Sequence, residues 1–297
     1  MKPIYYGLLV FLTTFLMGSS FTIGKIGLTY VSPLLLVGIR FTIAGILMAL
    51  LVRKKPLPRF RLDWLRIFLV GFFQTAGVMG CIFLSLRTIT AGESSILTFS
   101  NPLMVVILGT IFLGIRFRLI QWIGVITGFI GVFITLGFHL QLNVGTLLGL
   151  GAALSWSIAT ILIKKWGSRF NIWVLTAYQM LFGGILLLVM GVTVETPKLI
   201  INTTSIAIIL WLAIMASIVQ FAIWFYLLNK SDPGKTSAFL FLAPFFGILT
   251  GWLFLNEVVG WHVYLGGLLI FIGIFLVNWT FSKKSGNQGQ APFPKSG

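Results

Sequence analysis

The chain has 297 residues, of which 58% are hydrophobic and only 9% charged, and it carries a formal net charge of +16. A water-soluble globule, where about a quarter of residues are charged, is excluded. So is an outer-membrane barrel, because the apolar residues run on without the alternation of roughly ten-residue strands.

Apolar runs of about 20 residues are what a membrane-crossing helix needs, and turn-formers and charges cut the chain into ten of them. The first, 5–23, follows Met1-Lys2 without a small-residue cleavage site and reads as a retained span, not a signal peptide. It carries Ser19, Ser20 and Thr22. The second, 34–52, holds Arg40 six residues in, roughly 9 Å from its end at 1.5 Å per residue. The third, 65–86, holds Gln74, Thr75 and the single cysteine, Cys81, which excludes an intramolecular disulfide. The fourth, 94–113, carries Ser100, Asn101 and Pro102, and the fifth, 119–138, is glycine-punctuated. The sixth, 145–163, holds Trp156, Ser157 and Thr160, and the seventh, 172–192, holds Gln179. The eighth, 206–228, holds Ser217, Gln220 and Trp224; the ninth, 236–255, holds Pro244; the tenth is 260–279. The polar, Gly/Pro-rich stretch 282–297 is expected to be a disordered cytoplasmic tail.

The sequence also repeats. Residues 17–48 overlay 156–187 at an offset of 139, and 82–135 overlay 224–277 at an offset of 142, so that Pro102 meets Pro244, Gly124 meets Gly266 and Gly131 meets Gly273. Domain bounds of 1–140 and 141–281 follow, each holding five spans. Seventeen of the 21 Lys and Arg residues fall on one side of the resulting topology, three (Lys25, Arg87, Lys198) on the other, and Arg40 within a span. Basic loops stay cytoplasmic, so both termini are expected inside a bacterial inner membrane. An odd number of spans per copy makes the copies face opposite ways. The expected fold is therefore an all-α integral membrane protein of ten transmembrane helices in two inverted five-helix repeats. Read this way, the basic charge marks topology and suits the lipid bilayer's anionic headgroups, not nucleic acid.

Prolines near the middle of spans four and nine leave the carbonyls of Thr98 and Leu240 without their usual donor, which predicts kinked, cavity-facing hinge helices at Pro102 and Pro244. Spans 1, 3, 4, 6, 8 and 9 are the natural lining of a central cavity. Ser19, Gln74, Thr75, Asn101, Trp156, Ser157, Gln220 and Trp224 are the candidate substrate-binding residues, against the plainer reading of interhelical hydrogen bonding. Gly124/Gly128, Gly145/Gly149 and Gly247/Gly251 have the spacing of close helix packing, within the fold or in a homodimer. Arg40 could hold a substrate carboxylate, but snorkelling or carbonyl bonding is the simpler reading. Glu93 and Glu257 are the charged candidates for ion coupling, although no carboxylate sits mid-membrane. His139 and His262 map to the outer face. No metal spacing, phosphate loop or nucleophile constellation is present, so no cofactor, metal or catalytic residue is expected and the chain does not read as an enzyme.

The run Gly18-Ser19-Ser20-Phe21…Lys25, Pro33, Ile39-Arg40-Phe41, Asn101-Pro102, Trp156-Ser157…Lys164, Ala243-Pro244 and Leu255-Asn256-Glu257 resembles the EamA-type members of the drug/metabolite transporter superfamily. The resemblance covers the chain apart from its tail. It implies a secondary transporter, as a monomer or homodimer, that exports or exchanges a small metabolite, amino acid or drug-like solute. A lipid scramblase or flippase is the alternative, with a channel behind it. One departure stands out: the first copy has Ile115-Arg116 where the second has Glu257.

Overall fold

In lipid every backbone polar group needs a partner within the protein, so apolar sequence folds as helix. The computed structural model describes residues 3–114, 117–135, 143–230 and 239–284. Ile115, Arg116, His139, Asp232, Lys235, the junction between the repeats and most of the expected tail lie outside the described residues. Ten apolar helices are described. We label them α1 (Pro3–Gly27), α2 (Pro33–Leu51), α3 (Arg61–Ser85), α4 (Ala91–Thr98 and Asn101–Leu113), α5 (Leu119–Thr135), α6 (Val144–Trp166), α7 (Ile172–Thr193), α8 (residues 203–230), α9 (Leu242–Leu255) and α10 (Trp261–Lys284). Seven are long and apolar enough to cross a membrane, while those of α5, α9 and α10 are shorter apolar stretches.

Helix starts are set by capping chemistry as well as by hydropathy. Thr90 and Glu93 form a capping box, with the Glu93 amide donating to Thr90 Oγ1 and the Thr90 amide to Glu93 Oε2, at 3.0 and 2.9 Å. This starts α4 three residues before the apolar run and engages the Glu93 carboxylate. Asn202 and Ser205 form a second box at α8, while the Asn143 and Asn171 side chains each accept one backbone amide at the starts of α6 and α7.

The halves pack by close glycine seams. A Cβ placed on Gly124 would lie 2.6 Å from the Gly273 carbonyl oxygen, and one on Gly131 would lie 2.6 Å from that of Gly266. Since 124 corresponds to 266 and 131 to 273, each contact is the image of the other. As the number rises along α5 it falls along α10, so these helices are antiparallel. The α2–α7 seam behaves alike: Gly38 meets Leu188, Gly45 meets Leu181 and Gly191 meets Leu35. Corresponding helices that pack antiparallel about a two-fold axis are the signature of inverted repeats. The spaced glycines serve packing inside the fold, with Gly128 on Leu103, Gly149 on Leu97 and Gly247 on Ser95.

Two further irregularities are duplicated at the offset of 142. A single π-helical turn interrupts α3 at Phe72–Gly77 and α8 at Ile214–Val219. Left-handed residues end α4 at Gly114 (φ 60°) and precede Glu257 after α9 at Asn256 (φ 51°), a conformation that Gly and then Asn tolerate best.

Candidate functional site

Between α1, α2, α3, α4, α6 and α8 lies a central cavity of about 50 Å³. One water's share of liquid volume is about 30 Å³, so a larger solute requires the helices to part. Its polar lining is Ser20, Arg40, Gln74, Thr98 and Gln220, set among Phe21, Phe83, Phe99, Trp156 and Phe221. Trp156 packs edge-on to Phe99, with ring centroids 5.4 Å apart.

The sequence candidates divide. Gln74, Trp156 and Gln220 converge on the cavity. Thr75 instead donates to Gln179 Oε1 at 2.7 Å, Ser157 donates to the Asn101 carbonyl at 3.0 Å, and Ser19 bonds back to the Phe15 carbonyl at 2.7 Å. Trp224 is half-buried on α8 and lies outside the lining. Among the described residues α9 contributes nothing to this cavity, whereas α2, which was not expected to line it, contributes Arg40.

Pro102 does not kink a continuous helix. The first half of α4 stops at Thr98, residues Phe99 and Ser100 break away, and the second half begins at Asn101 with Pro102 in its first turn, where a missing N–H costs nothing. Thr98 Oγ1 is buried without a hydrogen-bond partner at this break. In α9 a 3₁₀ turn at Phe239–Phe241 leads into Leu242, and Pro244 again sits in the first turn.

Arg40 is 2% exposed, so it does not snorkel. Its Nε donates to Ser217 Oγ at 2.9 Å and its Nη2 to the Ala216 carbonyl at 2.7 Å. Both acceptors lie in the α8 π-helical turn, where the shifted bonding register leaves carbonyls free for outside donors. Nη1 is buried and has no partner.

On the face opposite the basic loops, Glu257 joins three helices. Its Oε1 is 2.6 Å from Lys25 Nζ, and both carboxylate oxygens accept from the Ala91 amide, at 3.1 and 2.9 Å. Lys25 also donates to the Ile89 carbonyl at 2.9 Å. The ends of α1, α4 and α9 are thereby tied, with the carboxylate on a helix N-terminus that favours anions. Beside this knot opens a depression of about 830 Å³, lined by Lys25, Arg87, Lys198 and Glu195. The loops here also pair across the repeats, with the Ser32 amide donating to the Lys198 carbonyl at 3.0 Å and the Leu34 amide to Glu195 Oε2 at 2.9 Å.

Comparison with known proteins agrees with this architecture. The EamA-like transporter family profile matches residues 5–137 and again residues 143–279. The transporter YvbV of Bacillus subtilis (strain 168) is 30% identical over 269 residues, covering 88% of this chain and 87% of the relative. A protein of Escherichia coli (strain K12) named "Probable amino-acid metabolite efflux pump" is 26% identical over 302 residues, covering 95% of this chain and 98% of the relative. A solved crystal structure superposes with a TM-score of 0.64 over 93% of this chain and 98% of the other, and at 18% identity the likeness is one of fold.

Proposed function

The chain belongs to the EamA-like transporter family, and on that premise we propose that it exports or exchanges a small organic solute across a bacterial inner membrane by alternating access, with both termini cytoplasmic. The observation that carries this reading is the central cavity, where polar and aromatic groups from both repeats meet at the interrupted segment of α4. Neutral hydrogen-bonding groups among aromatic rings suit an amphipathic solute held near the midplane. The name of the Escherichia coli relative supports amino-acid-like metabolites as one class to test first.

In this reading the Glu257–Lys25–Ala91 knot closes the outer side, and the broken α4 supplies a joint about which its halves re-aim. Alanine at residue 102 restores an amide able to bond to the Thr98 carbonyl and so to fuse the two half-helices. The double variant Pro102→Ala, Pro244→Ala is expected to insert normally, to change helix stability little because both prolines sit in first turns, and to transport at least about tenfold more slowly. Counterflow in proteoliposomes against a panel of amino acids, organic acids and cationic drugs is the deciding measurement. Absence of counterflow with every solute would refute the carrier reading, and unchanged counterflow in the double variant would refute the joint.

A further inference from the structure

The two repeats make the same contact twice, once with a charge and once without. Arg40 Nε donates to Ser217 Oγ at 2.9 Å. At the corresponding positions Thr75 Oγ1 donates to Gln179 Oε1 at 2.7 Å. In each copy the second helix anchors its polar residue on the hydroxyl of the π-helical turn. A neutral glutamine therefore suffices for this anchoring, and the positive charge on the Arg40 side exceeds what the fold requires.

Among the described residues nothing balances that charge. Among the described residues no carboxylate forms an ion pair with Arg40; Asp63 holds Arg66 and Glu257 holds Lys25. Glu93 belongs to its capping box and Glu195 accepts from the Leu34 amide. The two bonds that Arg40 makes go to neutral oxygens, its guanidinium carbon sits 4.7 Å from the Phe41 ring centre, and Nη1 is buried with no acceptor. A buried cation without a counterion is strongly unfavourable, and inside a membrane it marks a functional site. Arg40 also lines the central cavity.

We propose that the central cavity binds the carboxylate of a monoanionic solute on the free Nη1 of Arg40, with the solute's apolar body against Phe21, Phe99 and Trp156. This rests on the transport reading above and narrows its substrate class. Among the described residues the cavity lining holds one cation and no acid, so it balances a single negative charge and leaves a cationic group unmatched. A phosphate, which carries up to two charges, would leave one uncompensated. Gln220, one helical turn beyond Ser217, and Gln74 supply neutral hydrogen bonds to the rest of the headgroup.

The test uses the full-length protein in detergent and in proteoliposomes, with 3-methylbutanoate and phenylacetate as probes against the size-matched amines 3-methylbutylamine and phenethylamine. Wild type is expected to bind the acids saturably in equilibrium dialysis and the amines at least about tenfold more weakly. Arg40→Gln copies the residue already present at position 179 and is expected to fold, while its acid affinity falls about tenfold or more, as loss of a charged hydrogen bond dictates. Gln220→Glu keeps Arg40 but gives it an internal counterion, and is expected to lose the acids and to accept the amines. Equal acid affinity in wild type and Arg40→Gln, or acid and amine affinities left unchanged by Gln220→Glu, would overturn the carboxylate site while leaving transport standing. Acid binding that depends on Arg40 without counterflow of any solute would uphold the site and overturn transport.

Discussion

Gly131→Leu is expected to yield little folded protein in the membrane, whereas Gly7→Leu is expected to be silent. A Cβ on Gly131 would meet backbone, the Gly266 carbonyl oxygen at 2.6 Å and the Ile270 amide at 2.7 Å, while one on Gly7 would meet nothing within 4 Å. Backbone cannot turn aside as a side-chain end can, so α5 and α10 must separate along the whole seam. Overpacking a core by a few methylenes costs about 1–3 kcal/mol even where side chains adjust, and a full leucine against backbone lies at or beyond the top of that range. The seam also predicts non-additivity. Gly131 and Gly266 face each other, so Gly131→Ala and Gly266→Ala each force the same separation, and the double variant should destabilise by clearly less than the sum. Thermal unfolding of the detergent-solubilised variants, followed by size-exclusion recovery, measures both effects. Additive losses would show that the two glycines lie in separate contacts and would contradict the antiparallel pairing.

Much of this architecture is legible in the sequence because membrane insertion writes it in coarse code. Length of apolar runs gives spans, and the offsets of 139 and 142 give the repeat. The site was less legible, for a geometric reason. Adjacent residues on a helix point about 100° apart, and spacing alone does not say which of Gln74 and Thr75, or of Trp156 and Ser157, turns to the cavity and which to a neighbouring helix. Coordinates place the first of each pair in the cavity and the second against a neighbouring helix. Depth along α2 could be counted for Arg40, but its partners could not, because they lie in a π-helical turn. The two turns, FFQTAG and IMASIV, share little beyond the hydroxyl of Thr75 and Ser217. The capping box of Thr90 and Glu93 was readable from its spacing and would have moved the start of α4 to its observed place. Pro102 and Pro244 stand at corresponding points of the two repeats, and each lies in the first turn of a helix instead of at a kink, which for Pro102 depends on where Phe99 and Ser100 leave the helix.

Glu257→Gln is expected to raise the access of outside reagents to the central cavity about tenfold or more. The carboxylate makes one contact to an ammonium and two to a backbone amide, and hydrogen bonds to charged groups contribute about 1.5–3 kcal/mol each. An amide keeps the shape and can still accept from Ala91, so the change isolates the charge. A loss of about 1.4 kcal/mol shifts a two-state equilibrium tenfold. Thr98→Cys in a Cys81→Ser background places a thiol in the cavity lining, and its labelling by a membrane-impermeant maleimide from the outer face reads the opening directly. Glu195→Gln serves as the comparison, because Glu195 bonds a single amide and makes no ion pair among the described residues. Exchanging the pair, Lys25→Glu with Glu257→Lys, should restore closure only in part, since a lysine cannot accept from the Ala91 amide at the start of α4. Labelling that is unchanged in Glu257→Gln would remove the knot from the transport cycle. The sequence places Ile115 where the other repeat has Glu257, so the repeat supplies no second glutamate at the corresponding position to mirror this closure. On the proposed topology and transport cycle, the single glutamate makes the outer gate the one whose opening must break an ion pair.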